Sequence, residues 1–285
     1  MEYLQFNIES WPWKIAVVVA LLGMREFVRL LSPKEASGEH GETSKWLVET
    51  IDSAAIAIGL VLFIIQPFIL QAFFIPTGSM EDTLRVGDRL LVSKMVYRLK
   101  EPKFQDVVVF KAPPAANNPP NTDFIKRLMG TPGDTVEIKD RQMYRNGKPV
   151  KEIYTKWSDP SSLGSTGAPD EGGLGSGGPR FSYDMKIVGG AVYSRDYLGP
   201  NEPGRWQKNG VGAAEDDQAA ITNAPPGKVP PGQYLFLGDH RSNSNDGHVW
   251  GFTPRDNIVG KAIAVFWPPT RLGLVDRMSL YPRKP

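Results

Sequence analysis

Cysteine is absent from the 285 residues. That excludes disulfides, thiolate nucleophiles and cysteine-bound metals. Histidine is scarce: His40, His240 and His248 are the only three. Because imidazole is the side chain most often used as a general base, a catalytic reading has few places to find one. An excess of either charge is lacking too, with 33 Lys and Arg against 31 Asp and Glu and a net charge of +2. No basic block stands out, which sets aside nucleic acid as a partner. Charge is also missing locally. Ser53 to Ile75, SAAIAIGLVLFIIQPFILQAFFI, carries none at all. What is plentiful is glycine (29) and proline (25), the composition of β structure with many turns and loops.

The uncharged run predicts a transmembrane helix over 53–75. At about 1.5 Å per residue it is long enough for a hydrocarbon core of about 30 Å. Gln66, Pro67 and Gln71 weaken its last third, so the membrane part is expected to end near residue 70, with a kink at Pro67. Upstream, WPWKIAVVVALLGMREFVRLL (11–31) has a short apolar centre crowded by Lys14, Arg25, Glu26 and Arg29. It either spans by snorkelling its ends or lies on the surface as an anchor. Glu2 and Glu9 precede it, unlike the basic start of a cleaved signal peptide. Lys and Arg concentrate over 25–52, which puts that stretch on the cytoplasmic side and residues 76–285 outside.

From Arg85 onward the chain reads as strands. VGDRLLVSKMVYRL, QDVVVFKAP, DFIKRLMGTPGDTVEIKDRQMYRNGKPV and NIVGKAIAVFWPP mix β-branched and aromatic residues with turn signals. TPGD and RNG mark tight turns, the second a hairpin. Residues 112–121, 158–180 and about 199–232 read as loops, the middle one Gly/Ser/Pro-rich and poor in apolar residues.

One serine stands apart. In FFIPTGSMEDTL, Ser79 follows the apolar run on a Pro-Gly turn. A nucleophilic serine needs a base. His40 falls in the expected cytoplasmic loop, and His240 is open as a partner. Lysine is the other route. In DFIKRLMG the strand period puts Phe124, Lys126 and Leu128 on one face and Ile125, Arg127 and Met129 on the other. A lysine buried between Phe124 and Leu128 has a lowered pKa and, when neutral, accepts a hydroxyl proton. The alternative is that Lys126 snorkels to water.

Three blocks occur in order: IPTGSMEDTLRVGDRLLVSK, FIKRLMGTPGDTVEI and GDHRSNSNDGHVWGFTPRDNIVGKA. Behind an apolar anchor they resemble bacterial type I signal peptidase, the membrane-anchored Ser-Lys leader peptidase. The resemblance implies a mainly β Ser-Lys core with an inserted β-rich region, preceded by one or more N-terminal transmembrane helices. It divides the chain into 1–52 (N-terminal segment and cytoplasmic loop), 53–75 (membrane helix), 76–148 and 233–285 (catalytic core) and 149–232 (insert).

The same resemblance implies the roles. Ser79 is the nucleophile and Lys126 the general base. Thr77, where the family usually has serine, joins the Ser79 N–H in the oxyanion hole. Ser244 orients the lysine amine. Arg127, Asp239, Arg241 and Asp246 form structural ion pairs, with Asp239 expected opposite Arg127. Ile75, Met80, Leu84, Phe124 and Ile125 line shallow pockets for small side chains. The implied substrates are secretory preproteins at the outer face of the bacterial inner membrane, with the lipid bilayer as second partner. No metal or cofactor is implied. SNSNDG resembles part of a calcium loop but lacks the closing glutamate, and His240 and His248 lack a third ligand. Both histidines are expected at the surface or in hydrogen bonds. Two departures from the family stand out: Asp82 at a common proline and His248 at a frequent arginine.

Three rivals remain. A serine hydrolase could use His240. A membrane-anchored binding protein could keep the fold without catalysis. A self-cleaving repressor relative shares the dyad, but it carries a DNA-binding domain where this chain has an apolar anchor.

Overall fold

The computed structural model describes residues 11–31, 39–116, 118–119, 122–157, 182–199, 202–209 and 217–280. The Gly/Ser/Pro-rich stretch 158–180 lies outside them. The chain divides into two units, Met1–Gln71 and Ala72–Pro285.

The first unit is helical. Helix α1 (Trp11–Leu31) packs on α2 (Glu39–Leu60), which continues as a wider π-type helix over Val61–Ile69. Arg25 Nε meets Asp52 Oδ1 at 2.6 Å, pairing the two helices. Val19, Phe27 and Leu30 are exposed. Among the described residues one helical segment, Trp46–Phe63, is long and apolar enough to cross a membrane. This corrects the bounds expected for the anchor. The helix starts well before residue 53, and Leu70–Phe74 is strand. The reason is pairing and packing. LQAFF joins a sheet beside LLVS, and Ile75, only 2% exposed, enters the core. Pro67 lies in the π-type stretch, where its missing N–H disturbs an α ladder.

The strands run β1 (Leu70–Phe74), β2 (Arg89–Ser93), β3 (Val107–Lys111), β4 (Asp123–Gly130), β5 (Val136–Lys139), β6 (Gln142–Arg145), β7 (Lys148–Pro149), β8 (Tyr183–Val188), β9 (Ala191–Gly199), β10 (Glu202–Pro203), β11 (Gln207–Asn209), β12 (Gln233–Leu237), β13 (Thr253–Pro254), β14 (Ile258–Trp267) and β15 (Gly273–Leu274). Short helices α3 (Val96–Leu99), α4 (Gln218–Asn223), α5 (Gly247–Trp250) and α6 (Val275–Leu280) connect them. One sheet has the order β1-β2-β14-β3-β4-β12-β13, with β15 on β14; the other is β10-β9-β8-β5-β6-β7, with β11 on β9. The mainly β architecture expected from the sequence is therefore present.

The first sheet is covered on both sides, which explains an unbroken VVVF in β3. Val107 and Val109 pack with Leu84, Leu90, Val92 and Val265, whereas Val108 and Phe110 pack with Leu128, Phe236 and Trp250. Strand β14 returns from the C-terminal part and inserts between β2 and β3, with Lys261 opposite both Ser93 and Val108. Beside it, β3 and β4 register Val108 against Lys126. This brings the last block of sequence onto the first two.

A TPGD turn then leaves the first sheet. Thr131 donates from its backbone N–H (2.9 Å) and its hydroxyl (2.7 Å) to Asp134 Oδ2. Gly133 takes φ 88° without strain. The second sheet follows at Val136, upstream of the insert boundary expected at 149, because β5 and β6 belong to it. Asn146 (φ 52°) and Gly147 (φ 73°) form the hairpin turn that RNG predicts. Met129, Leu235 and Leu237 share a core with Val136, Met143, Tyr183 and Met185, so the two sheets close on one apolar layer.

Candidate active site

Ser79 sits in a 3-10 turn, Gly78–Met80, with Met80 and Leu84 fully buried beneath it. Its backbone is tied to the third block, since the His240 N–H donates to the Ser79 carbonyl at 3.1 Å. Lys126 reaches the serine from β4, with Nζ donating to Ser79 Oγ at 2.5 Å. Only 3% of Lys126 is exposed, so it does not snorkel. Its Nζ stands 5.5 Å from the centre of the Phe124 ring. Burial lowers the Lys126 pKa to about 8, against the opposing pull of Asp246 and Asp239. Near neutral pH an appreciable fraction of this amine is uncharged and able to accept the serine proton. Thr77 Oγ1 lies 3.4 Å from Ser79 Oγ, on the same turn.

The neighbouring charges form closed pairs. Arg127 grips Asp239 with two bonds, Nε to Oδ1 at 2.7 Å and Nη2 to Oδ2 at 2.5 Å. Thr83 Oγ1 donates to Asp239 Oδ2 at 2.6 Å, and the guanidinium lies 3.8 Å over the Tyr154 ring. Arg241 pairs with Glu152, not with Asp246. Burial works against the charge of Arg241, but the Glu152 carboxylate outweighs it and raises the pKa. Asp246 accepts from the Gly238 N–H (2.7 Å) and the His248 N–H (3.1 Å), and its Oδ1 lies 2.7 Å from His248 Nδ1. Burial alone would raise its pKa; the His248 ring and these donors hold it down at about 2. His248 therefore takes the place of the expected arginine opposite Asp246. Of the two places expected for the histidines, surface or hydrogen bond, the surface is excluded, with His240 8% and His248 1% exposed, and His248 is hydrogen-bonded to Asp246. The His240 ring faces Glu81, with Nδ1 3.8 Å from Oε2.

Other expected residues fall differently. Ser244 is buried, but its hydroxyl makes no hydrogen bond to Lys126. It is instead wedged against the α-carbon of Gly238, beside the Ser79 carbonyl. Ile75, Met80 and Leu84 are core residues with almost no free surface. Phe124 and Ile125 are only partly buried and keep open edges. Thr83, Glu152, Tyr154 and Tyr183 complete the surroundings, and nothing in the sequence pattern had singled them out. Thr83 carried one signal, a hydroxyl four residues after Ser79 in the first block.

Comparison with known proteins gives a consistent picture. The family model described as "Signal peptidase, peptidase S26" matches residues 47–267. "Probable signal peptidase I-2" of Synechocystis sp. is 32% identical over 226 residues, covering 79% of this chain and 73% of the relative. "Signal peptidase I" of Leptolyngbya laminosa is 31% identical over 244 residues, 85% of this chain and 90% of the relative. "Signal peptidase I" of Aquifex aeolicus is 34% identical over 226 residues, 73% and 80% respectively.

Proposed function

Since the chain belongs to the peptidase S26 family of signal peptidases, we propose that it is a membrane-bound serine endopeptidase that removes N-terminal signal peptides from secretory preproteins after a small-x-small site. The observation that carries the catalytic part is the 2.5 Å approach of buried Lys126 Nζ to Ser79 Oγ.

Uncharged Lys126 takes the Ser79 proton as Oγ attacks the scissile carbonyl. The oxyanion is met by the Ser79 N–H and the Thr77 hydroxyl. Lys126 then hands its proton to the departing amine, which frees the mature protein. A water gives a proton to Lys126 and attacks the ester; Lys126 passes that proton to the departing Ser79 Oγ, and the signal peptide leaves as a carboxylic acid that ionises in water. The Arg127–Asp239 and Arg241–Glu152 pairs hold the third block against this turn. Ser244 supports the serine backbone through Gly238. The substrate adds as an extended strand near β4. Its small side chains meet the open edges of Phe124 and Ile125, while Ile75, Met80 and Leu84 lie in the core behind Ile125.

The segment Trp46–Phe63 anchors the chain in the bacterial inner membrane. The catalytic unit stands on the outer, periplasmic side, where an emerging signal-peptide cleavage site is presented. The test is mass spectrometry of the products from a preprotein whose last two small positions are varied in turn. Cutting confined to small-x-small sites supports the reading. Efficient cutting after large side chains at those positions overturns it.

A further inference from the structure

We infer that His248 is a positioning residue for the Ser79–Lys126 pair, acting through Asp246. The inference rests on the Ser-Lys reading above. Two carboxylates act electrostatically on Lys126, those of Asp246 and Asp239. They are matched in different ways. Asp239 is held by the permanent charge of Arg127 in a two-bond grip. Among the described residues, Asp246 is met by backbone N–H groups, the nearby Ser244 hydroxyl and one imidazole ring, whose Nδ1 is 2.7 Å from Oδ1. How much of the Asp246 charge reaches the lysine therefore depends on that ring.

The ring is also fixed in place. It stacks on Tyr183 of β8 at 4.2 Å between centroids and 10° between planes. The Ser194 hydroxyl of β9 donates to the His248 carbonyl at 3.0 Å. The second sheet thus clamps His248 from two strands. His248 sets Asp246, and Asp246 holds the Gly238 N–H. The Gly238 α-carbon lies directly against the Ser79 carbonyl, and a Cβ added there would stand 2.6 Å from that oxygen. One chain of contacts reaches both members of the pair: the charge acts on Lys126, and the glycine bears on Ser79. The charged and titratable groups around this path are Lys126, Arg127, Asp239, Asp246 and Tyr183, together with Arg241, which pairs with Glu152 and donates from Nε to the Gly238 carbonyl at 3.2 Å.

The test compares His248→Asn with His248→Gln. Both keep an amide and much of the bulk, but only asparagine places its N–H where Nδ1 stands. The readout is kcat/KM for a preprotein in detergent micelles from pH 6 to 11, as the acid limb reports the base of the free enzyme. With the Nδ1 donor lost, more of the Asp246 charge acts on Lys126, which favours its protonated form. In His248→Gln the acid limb moves up by about 0.5 to 1 pH unit, a loss of about 3- to 10-fold at pH 7 that is regained in alkali. His248→Asn stays within about 2-fold of wild type at every pH. An evenly lowered profile with an unmoved limb in His248→Gln, or an asparagine variant as impaired as the glutamine one, overturns the proposal. Lys126→Ala runs alongside. If it cuts like wild type, the Ser-Lys reading has failed; if it is inactive and the Gln limb has not moved, only the role of His248 has failed.

Discussion

Gly238→Ala tests the packing that seats the nucleophile. A Cβ at this position would stand 2.2 Å from Ser244 Oγ, 2.6 Å from Ser244 Cβ and 2.6 Å from the Ser79 carbonyl oxygen. Comfortable contacts begin near 3.5 Å, so the parts must separate by about 1 Å. Ser244 is buried, and the Ser79 carbonyl is backbone already tied to the His240 N–H. Neither is a flexible side-chain end. Overpacking of this kind costs about 1–3 kcal/mol, less than the usual domain stability of about 5–15 kcal/mol. The variant should fold. A displacement of about 1 Å at a reacting group is worth about 100-fold in rate. The expected result is a modest loss in denaturant midpoint together with about a 100-fold fall in kcat/KM on a preprotein. Gly260→Ala is the control: its clash is with the Ser93 carbonyl at 2.4 Å and Val92, on the β2–β14 seam. It should lose stability while its folded fraction cuts normally. Wild-type activity in Gly238→Ala, or losses of activity in proportion to stability in both variants, would refute the reasoning.

Further outcomes follow from the same geometry. The folded Lys126 pKa near 8 lies below its ordinary value of 10.5, so the unfolded chain binds more protons between those values and Lys126 lowers stability below about pH 8, a cost that disappears as pH rises through 10.5. Lys126→Met should therefore gain about 2–3 kcal/mol at pH 7 in chemical denaturation while losing activity; no gain contradicts the burial argument. Asp246 is shifted the other way, to about 2 from 3.8. It contributes about 2 kcal/mol above pH 4 that is lost as pH falls through 2. Asp246→Asn should flatten the acid side of the stability curve, and an unchanged curve counts against it. Asp239→Ala leaves Arg127 buried without its carboxylate and should cost about 3–5 kcal/mol, with much of that recovered in Asp239→Ala/Arg127→Met. A loss in the double variant equal to the sum of the two single losses would show that the pair is not coupled.

What the sequence made legible depended on whether the signal was local. Alternation in DFIKRLMG separates Leu128, packed with Phe110 and Phe236, from Met129, which packs toward the second sheet. TPGD and RNG carry turn chemistry within four residues, and their glycines take the positive φ those turns need. Where the signal was not local, the reading stopped short. An uncharged run looks alike whether it ends as helix or strand, so the sequence weakens the helix near residue 70 without showing that LQAFF is a strand, which only its pairing with β2 reveals. Arg241 and Glu152 are 89 positions apart, and no periodicity links them. Met80 and Leu84 read as apolar either way, and only packing distinguishes a core residue from a pocket wall. The partner of Asp246 follows from which side chain α5 turns inward, and that is fixed by Tyr183 in a different sheet.

The most direct measurement is kcat/KM for a preprotein in lipid bilayers with wild type, Ser79→Ala, Lys126→Ala and His240→Ala, each checked for folding. A Ser-Lys pair predicts a fall of about 1,000-fold or more for the serine and lysine variants and most activity kept by His240→Ala. A folded Lys126→Ala that cuts near the wild-type rate, with His240→Ala inactive, would contradict it.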